Sequence, residues 1–575
     1  MGRPLHVKPA PAGPSRRGFF KQTGAAAAAL AAAPTLALAD EDRHGSATPL
    51  FQHGVASGDP LADRVILWTR VTPRRPQPRV EVRYVVATDP RCRRVVARGR
   101  FVTTPQRDYT VKVDAAGLRP ATTYYYRFFT EGGRSPVGRT RTLPVGRTQS
   151  LRMAVVSCSN HAAGYFNAYA RIAQRADLDL VMNLGDYLYE YGASQYGSVR
   201  TPEPATEMIS LDDYRRRHAQ YKRDADSQAM HRQHPLVAIW DDHETANNSW
   251  KDGAENHQPA TEGDWAARVQ AALQAYYEWM PVRELDPANP RKDYRAYAFG
   301  DLADLIMLEE RLGARAKQID GSIATPFGAA FTQTGAFADP SRQLLGAEEE
   351  AWLFDRLRTS PARWKLLGQG VMFAQLKVPG YGLPNAAGGG LFLNSDQWDG
   401  YQPARNRVYE VLQGSAAQPG VDNVVVLTGD IHSSWAADLS PDPNNPDVAS
   451  GGYNPATGEG SRAVEFVGTS VSSPGIDSDT NGAIAGALRS ANPHFKYVNL
   501  HRRGYMLVDV TRERAVAEWW HVDTVASPSN VETFAVAFQT TAGGNRLQPA
   551  AQTPTRANAP ALAPDLVETE ADGDD

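Results

Sequence analysis

The sequence predicts an α/β fold preceded by a small all-β domain, on three observations. From Ser150 onward, short apolar runs of strand length alternate with helical patterns, which is the signature of an α/β unit. Between residues 48 and 147, short alternating strands are separated by Pro, Gly and Asp turns, as in a small sandwich. The chain is 575 residues long, and a prior of roughly 100–200 residues per domain predicts two to four domains.

Composition permits this organisation and narrows the function. Hydrophobic residues make up 42% and charged residues 22%, so a core can form without staples. The formal net charge of −3 gives no global attraction to nucleic acid or to an anionic membrane, and no stable nucleic-acid partner is expected. Two cysteines, Cys92 and Cys158, make no disulfide framework. Cys92 reads as a small buried hydrophobe.

The first 39 residues read as a targeting segment. Ser15-Arg16-Arg17-Gly18-Phe19-Phe20-Lys21 precedes an Ala-rich apolar stretch from Gly24 to Leu38. Ala37-Leu38-Ala39 is a small-residue cleavage site, so the mature protein is expected to start near Asp40. The apolar run is shorter than the roughly 20 residues of a spanning helix, and no later stretch is long and apolar enough. The expectation is folded export through the twin-arginine translocase to a periplasmic or secreted location, with no transmembrane span in the mature protein.

Within the first domain, strands are expected at 65–71, 80–87, 109–113 and 123–129. The run Gly117-Leu118-Arg119-Pro120-Ala121-Thr122-Thr123-Tyr124-Tyr125-Tyr126 resembles the entry to a late strand of fibronectin-type domains, so this unit is expected to be fibronectin- or immunoglobulin-like. A linker is expected around 144–148. In the α/β unit, spanning 150–545, strands are expected at 153–157, 178–183, 236–240, 305–308, 364–373, 424–428 and 464–467. Helices are expected at 166–174, 211–221 and 265–279. Residues 375–402 and 438–463 are rich in Gly, Pro and Asn and read as surface loops. Residues 547–575 begin Pro/Ala-rich and end acidic, and are expected to form a disordered tail.

Four strand ends deliver residues fit for a hard metal site. They are Val155-Val156-Ser157-Cys158-Ser159-Asn160, Val181-Met182-Asn183-Leu184-Gly185-Asp186-Tyr187-Leu188-Tyr189-Glu190, Ile239-Trp240-Asp241-Asp242-His243-Glu244 and Leu427-Thr428-Gly429-Asp430-Ile431-His432. In open α/β sheets ligands bind beyond the carboxyl ends of the strands, so four polar exits can converge on one crevice. A lone Gly-Asp is a turn, and a lone Asp-x-His a polar surface pair. Their order and type carry the argument.

Gly-Asp after one strand, Asp-His-Glu after the next and Gly-Asp-x-His near the end is similar to the motif order of metallophosphoesterases. The chain resembles the PhoD-like alkaline phosphatases over nearly all of its mature length. Phe51-Gln52-His53-Gly54-Val55-Ala56-Ser57-Gly58-Asp59-Pro60 resembles the start of that family's N-terminal domain. Asp241-Asp242-His243-Glu244 with Asn247-Asn248 resembles its central motif, and Asn492-Pro493-His494 and Arg503-Gly504-Tyr505 its C-terminal strands. The resemblance implies a metallophosphatase-like fold, a mixed β-sandwich flanked by helices.

The same resemblance implies an Fe3+ and Ca2+ centre. Ferric iron accepts thiolate, phenolate, carboxylate and imidazole, and Cys158, Tyr189, Asp186 and His432 supply one of each. Calcium prefers oxygen donors. Asp242 and Asp430 suit it, with Asp186 bridging to the iron and Asn248 adding a carbonyl oxygen. Asp242 looks like the counterpart of the superfamily's metal-binding Asn. His243, placed like the superfamily's catalytic His, would protonate the leaving alcohol or hold a phosphate oxygen. Leu308-Glu309-Glu310-Arg311 departs from the family's Asp-Thr-Arg; Arg311 could still hold phosphate or a nearby carboxylate, but Glu309 puts the local hydrogen bonding in doubt, and Arg311 is not counted among the site residues.

The implied activity is alkaline hydrolysis of phosphate esters by activated water. Phosphate monoesters are expected substrates, and small diesters remain open. The alternatives are a phosphodiesterase, phospholipase-type or nuclease activity on the same scaffold, and a phosphorylated serine at Asp477-Ser478. The neighbours of Ser478 lack the small-residue turn such a nucleophile needs. A purely adhesive role would suit the β-sandwich alone but leaves the metal-type constellation unexplained.

Overall fold

The computed structural model describes residues 50–381 and 389–564. The expected signal peptide and the acidic end of the chain lie outside the described residues.

Two large sheets pack face to face. One has ten strands and runs, in spatial order, Gln548–Ala550, Glu532–Thr541, Arg514–Val522, Gly504–Thr511, Ser150–Val156, Leu180–Leu184, Pro235–Ile239, Val55–Gly58, Arg64–Arg70, Thr110–Ala116. The other has seven, in the order Arg295–Phe299, Ala303–Met307, Trp364–Gln369, Val424–Thr428, Ala463–Val467, Ser434–Leu439, Phe495–Asn499. The central strands of each sheet are parallel and the flanking ones antiparallel.

Strand periodicity explains the layering, because alternate side chains point to opposite faces. Leu151, Met153 and Val155, with Leu180, Met182 and Leu184, meet Val425, Leu427, Val464 and Phe466 in the core between the sheets. The intervening Ala154, Val156, Val181 and Leu236 face helices Asn167–Ala173, Leu211–Arg223, Ala225–Gln233 and Trp265–Trp279. On the other side, Val424 and Val426 face helices Ala347–Thr359, Gln402–Gln413 and Ala483–Ala491. Both faces of the central strands are thus apolar, as parallel sheets require. The result is the expected mixed β-sandwich flanked by helices. Among the described residues, no helix is long and apolar enough to cross a membrane.

The N-terminal all-β unit is present, but one of its sheets runs on into the large one. Val55–Gly58 pairs in parallel with Pro235–Ile239, and Arg64–Arg70 and Thr110–Ala116 extend the edge. A five-stranded sheet around Val80–Ala87 and Thr123–Thr130 closes over these strands through Val65, Leu67, Val82, Val113, Tyr126 and Phe128.

Several expectations need correction. The strand expected to reach residue 373 ends at Gln369, because the Glu310 carboxylate accepts the backbone N–H groups of Gly370 and Val371 at 2.9 and 3.0 Å, which takes them out of the ladder. Residues 375–402 are not a simple surface loop: Leu376, Val378, Phe392, Trp398 and Tyr401 are buried. The series of strands does not close at residue 467, since three long antiparallel strands follow. The expected tail starts later than residue 547. Gln548–Ala550 adds a strand, Thr553 N donates to Glu518 at 2.6 Å, Tyr125 donates to the Ala561 carbonyl at 2.6 Å, and Ala563 is held by Gln233 at 2.8 Å.

Candidate metal centre

Three of the four nominated strand exits leave the ten-stranded sheet and the fourth leaves the seven-stranded one, so their carboxyl ends meet where the two sheets face each other. The turns are tight. Cys158, Asp186, Asn248, Asp430 and His432 have φ values of 60°, 54°, 51°, 61° and 56°. Such left-handed backbone costs free energy in a non-glycine residue and gathers at functional sites. Gly185 makes the closest approach possible, because a Cβ there would lie 2.4 Å from the Asp241 Cβ.

Buried polar groups hold these turns. The Glu244 carboxylate accepts the backbone N–H groups of Asp186, Tyr187 and Asp241 at 3.1, 2.6 and 3.0 Å, stapling two exits together. Burial pushes Glu244 itself up to about 7. Arg217 donates to the backbone carbonyls of Tyr189 and Tyr191 and fixes the loop between them.

The ligand atoms of Cys158, Asp186 and His432 lie within 4.8 Å of one another; so do those of Asp186, Asp242 and His243, and those of Asp241, Asp242 and Asp430. Asp186 belongs to two groups and Asp242 to two. The Tyr189 hydroxyl donates to Asp186 Oδ2 at 3.0 Å and lies 3.1 Å from His432 Nε2, while Ser473 Oγ donates to it at 2.7 Å. Asn248 N donates to Asp242 Oδ2 at 2.7 Å. All seven residues expected to bind metal, and His243 beside them, are therefore gathered in one place and buried.

The donor set suits cations. The Pro474 carbonyl can only accept, so His432 Nδ1, 2.9 Å from it, carries the proton and Nε2 keeps its lone pair beside Asp186 and Cys158. The amide nitrogen of Asn248 donates to Glu255 at 2.6 Å, which identifies its other end as oxygen, and that buried oxygen has no hydrogen-bond partner. Burial, with Asp242, Asp241 and Glu244 close by, holds the Asp186 carboxyl well above the usual carboxylate range despite His243. Burial, then Asp186 and Cys158, raises the Tyr189 phenol. A bound cation would relieve both.

His243 stands between the carboxylates and a second acid. Its Nδ1 is 2.6 Å from Glu190 Oε2, its Nε2 is 3.9 Å from Asp242 Oδ1, and its ring lies on Tyr189 with centroids 4.1 Å apart. Burial opposes its charge, but Asp242, Glu190 and Asp186 outweigh that and carry it up to about 10.

Further residues, one left open and others missed from sequence, complete the cluster. Arg311, fully buried, donates to Asp241 at 2.5 and 3.0 Å, to Asp396 at 2.9 and 3.1 Å and to Asp430 at 3.1 Å. The doubt raised by Glu309 is resolved: its carboxylate accepts Trp240 Nε1 at 2.8 Å and the backbone N–H groups of Arg311, Leu312 and Gly313 at 3.0, 2.7 and 2.7 Å, which shapes the loop that carries Arg311. Asp396 and Gln397 come from the stretch expected to be a surface loop, and Gln397 donates to Asp430 Oδ2 at 2.8 Å. No local pattern marked them. Glu190 and Asp241 did stand within the quoted motifs, next to nominated ligands. Ser478 is exposed, unlike the buried cluster, which disfavours a serine nucleophile there.

Comparison with known proteins finds relatives over most of the chain. The family model for the PhoD-like phosphatase matches residues 153–519, and that for the PhoD-like phosphatase N-terminal domain matches residues 36–144. The chain is 37% identical over 492 residues to alkaline phosphatase D of Bacillus subtilis (strain 168), covering 83% of this chain and 78% of that protein. A solved structure of PhoD superposes with a TM-score of 0.76 at 35% identity, covering 89% of this chain and 94% of the other. An enzyme of this kind is a phosphoric ester hydrolase and depends on metal. Two matching family models, a relative matched over most of its length and a shared fold together show that the chain belongs to the PhoD-like phosphatase family.

Proposed function

We propose that the protein is an exported alkaline phosphatase that hydrolyses phosphate monoesters and small diesters at an Fe3+ and Ca2+ centre. The observation that carries this reading is the Asp186 carboxylate, which belongs both to the group with Cys158 and His432 and to the group with Asp242 and His243, while Asp242 continues into the all-oxygen group with Asp241 and Asp430. Cys158, Tyr189, Asp186 and His432 would hold the iron. Asp242, Asp430 and the Asn248 oxygen would hold the calcium, with Asp186 between the two.

When bound, the cations supply charge neutralisation at the phosphoryl oxygens and a water of lowered pKa. The protein's own residues supply the rest. Glu190 orients the His243 imidazole through Nδ1, which leaves Nε2 facing the carboxylates. From there His243 can hand a proton to the departing alcohol oxygen or hold a phosphate oxygen. Arg311 keeps Asp241 and Asp430 in place and offsets part of their charge. Residues 1–39 would direct folded export through the twin-arginine translocase.

The test is hydrolysis of a chromogenic monoester and the matching diester, with and without a calcium chelator. Loss of both activities on chelation and their return with calcium is expected. Full activity after exhaustive chelation would reject the calcium assignment.

A further inference from the structure

A cleft of about 130 Å3 opens beside the candidate centre and has two unlike ends. One end presents Asn248, Asp396, Asp430 and His432. The other is walled by Leu376, Ile431, Trp435, Ile476, Leu488 and Leu500. The centre as described uses only the polar end.

The apolar end has no polar demand of its own. The Trp435 indole N–H is already given to Ser433 Oγ at 2.7 Å, so the ring offers only its carbon surface. Packing against Phe495, with centroids 4.9 Å apart, holds that ring in place. Leu488 comes from the helix Ala483–Ala491, and Leu500 follows the strand Phe495–Asn499, so the wall is built on regular elements. The turn that brings Asp430 and His432 to the centre also contributes Ile431 to the cleft.

Size narrows the occupant. An apolar cavity of about 150 Å3 takes up benzene. The whole cleft, polar end included, measures about 130 Å3, so its apolar end suits no more than one ring or a short branched alkyl group.

We propose that this apolar end receives the leaving alcohol of the substrate, and that the favoured esters carry a single ring or a short branched chain there. This rests on the reading of the carboxylate end as the phosphate site. In the reaction a water oxygen bonds to phosphorus and the bond from phosphorus to the alcohol oxygen breaks. One water proton ends on the departing alcohol and the other stays with phosphate.

The test compares benzyl phosphate with ethyl phosphate on the metal-loaded enzyme, two esters whose alcohols have similar leaving ability. Wild-type kcat/KM is expected to be at least about tenfold higher for benzyl phosphate. Leu488→Phe, which fills the cleft, should raise KM for benzyl phosphate by about tenfold while ethyl phosphate changes less than about twofold. Ile476→Phe is a second filling variant, and circular dichroism checks that each has folded. The wild-type preference is read without any variant. Equal kcat/KM for the two esters, unmoved by the filled variants, would overturn the pocket and leave the phosphatase reading intact. A metal-loaded enzyme that hydrolyses neither ester would overturn both.

Discussion

Arg311 grips Asp241 with two hydrogen bonds, Nε to Oδ1 at 2.5 Å and an Nη2 bond to Oδ2 at 3.0 Å, and neither side chain reaches solvent. The same guanidinium extends to Asp430 and Asp396, so one cation organises carboxylates from three segments of chain. Removing one partner of a buried pair costs about 3–5 kcal/mol because the other charge stays buried. Arg311→Ala should therefore unfold at lower urea and lose roughly a hundredfold or more in kcat/KM, by loss of positioning. Arg311→Lys keeps the charge without the fork and should recover only part of each. Unchanged urea midpoint and unchanged kinetics in Arg311→Ala would remove the network from the account.

Glu190 should act through His243. Its Oε2 lies 2.6 Å from Nδ1, while Oε1 accepts Asn247 N and Asn256 Nδ2, each at 2.8 Å. Glu190→Gln preserves the shape and weakens the grip on the imidazole. We expect kcat to fall by about 10–100-fold with KM little changed, the usual cost of losing such a partner. A variant with wild-type kcat would show that His243 needs no such partner.

Lys222 gives a pH dependence unconnected with the metal site. Its amine is buried against the Trp68 and Tyr187 rings, 2.8 Å from His231 Nε2 and near the His218 imidazole. Burial holds its pKa well below the usual lysine range. The unfolded chain takes up this proton below about 10.4, while the folded chain keeps the amine neutral. Its contribution is therefore full above that pH and is lost as pH falls toward the folded value, by about 1.4 kcal/mol per pH unit. Lys222→Met should escape this loss. Thermal unfolding at pH 7, 8 and 9 should show the variant's advantage growing as pH falls. A constant difference across that range would show that the amine is charged in the folded protein.

Export makes a separate prediction. Arg16→Lys with Arg17→Lys should leave active enzyme in the cytoplasmic fraction, since the twin-arginine pair is read as a pair. Normal export of the double variant, scored by cell fractionation, would reject the targeting role.

What was legible in the sequence followed strand chemistry. The runs at 80–87, 265–279 and 424–428 are found as written, because each carries an unbroken apolar pattern bounded by turn residues. Most of the candidate ligands stood out because they lie within a few residues of the end of such a strand. Arg311 was legible only as a group able to hold a nearby carboxylate, and Asp396 and Gln397 were not legible, since all three reach the centre on irregular segments whose course depends on Glu309, Glu310 and Trp398. The docking of residues 548–564 was hidden for a similar reason. Its hold comes from distant partners, Glu518, Tyr125 and Gln233, and Pro/Ala-rich composition says nothing of them.

The central claim is that Asp186 serves two cations at once, and metal content tests it most directly. Elemental analysis of wild-type protein purified from its native host should find iron and calcium together. Asp186→Ala should lose most of both, because the two cations would repel each other without the carboxylate between them. Asp186→Ala protein that keeps the wild-type content of both metals would contradict the claim.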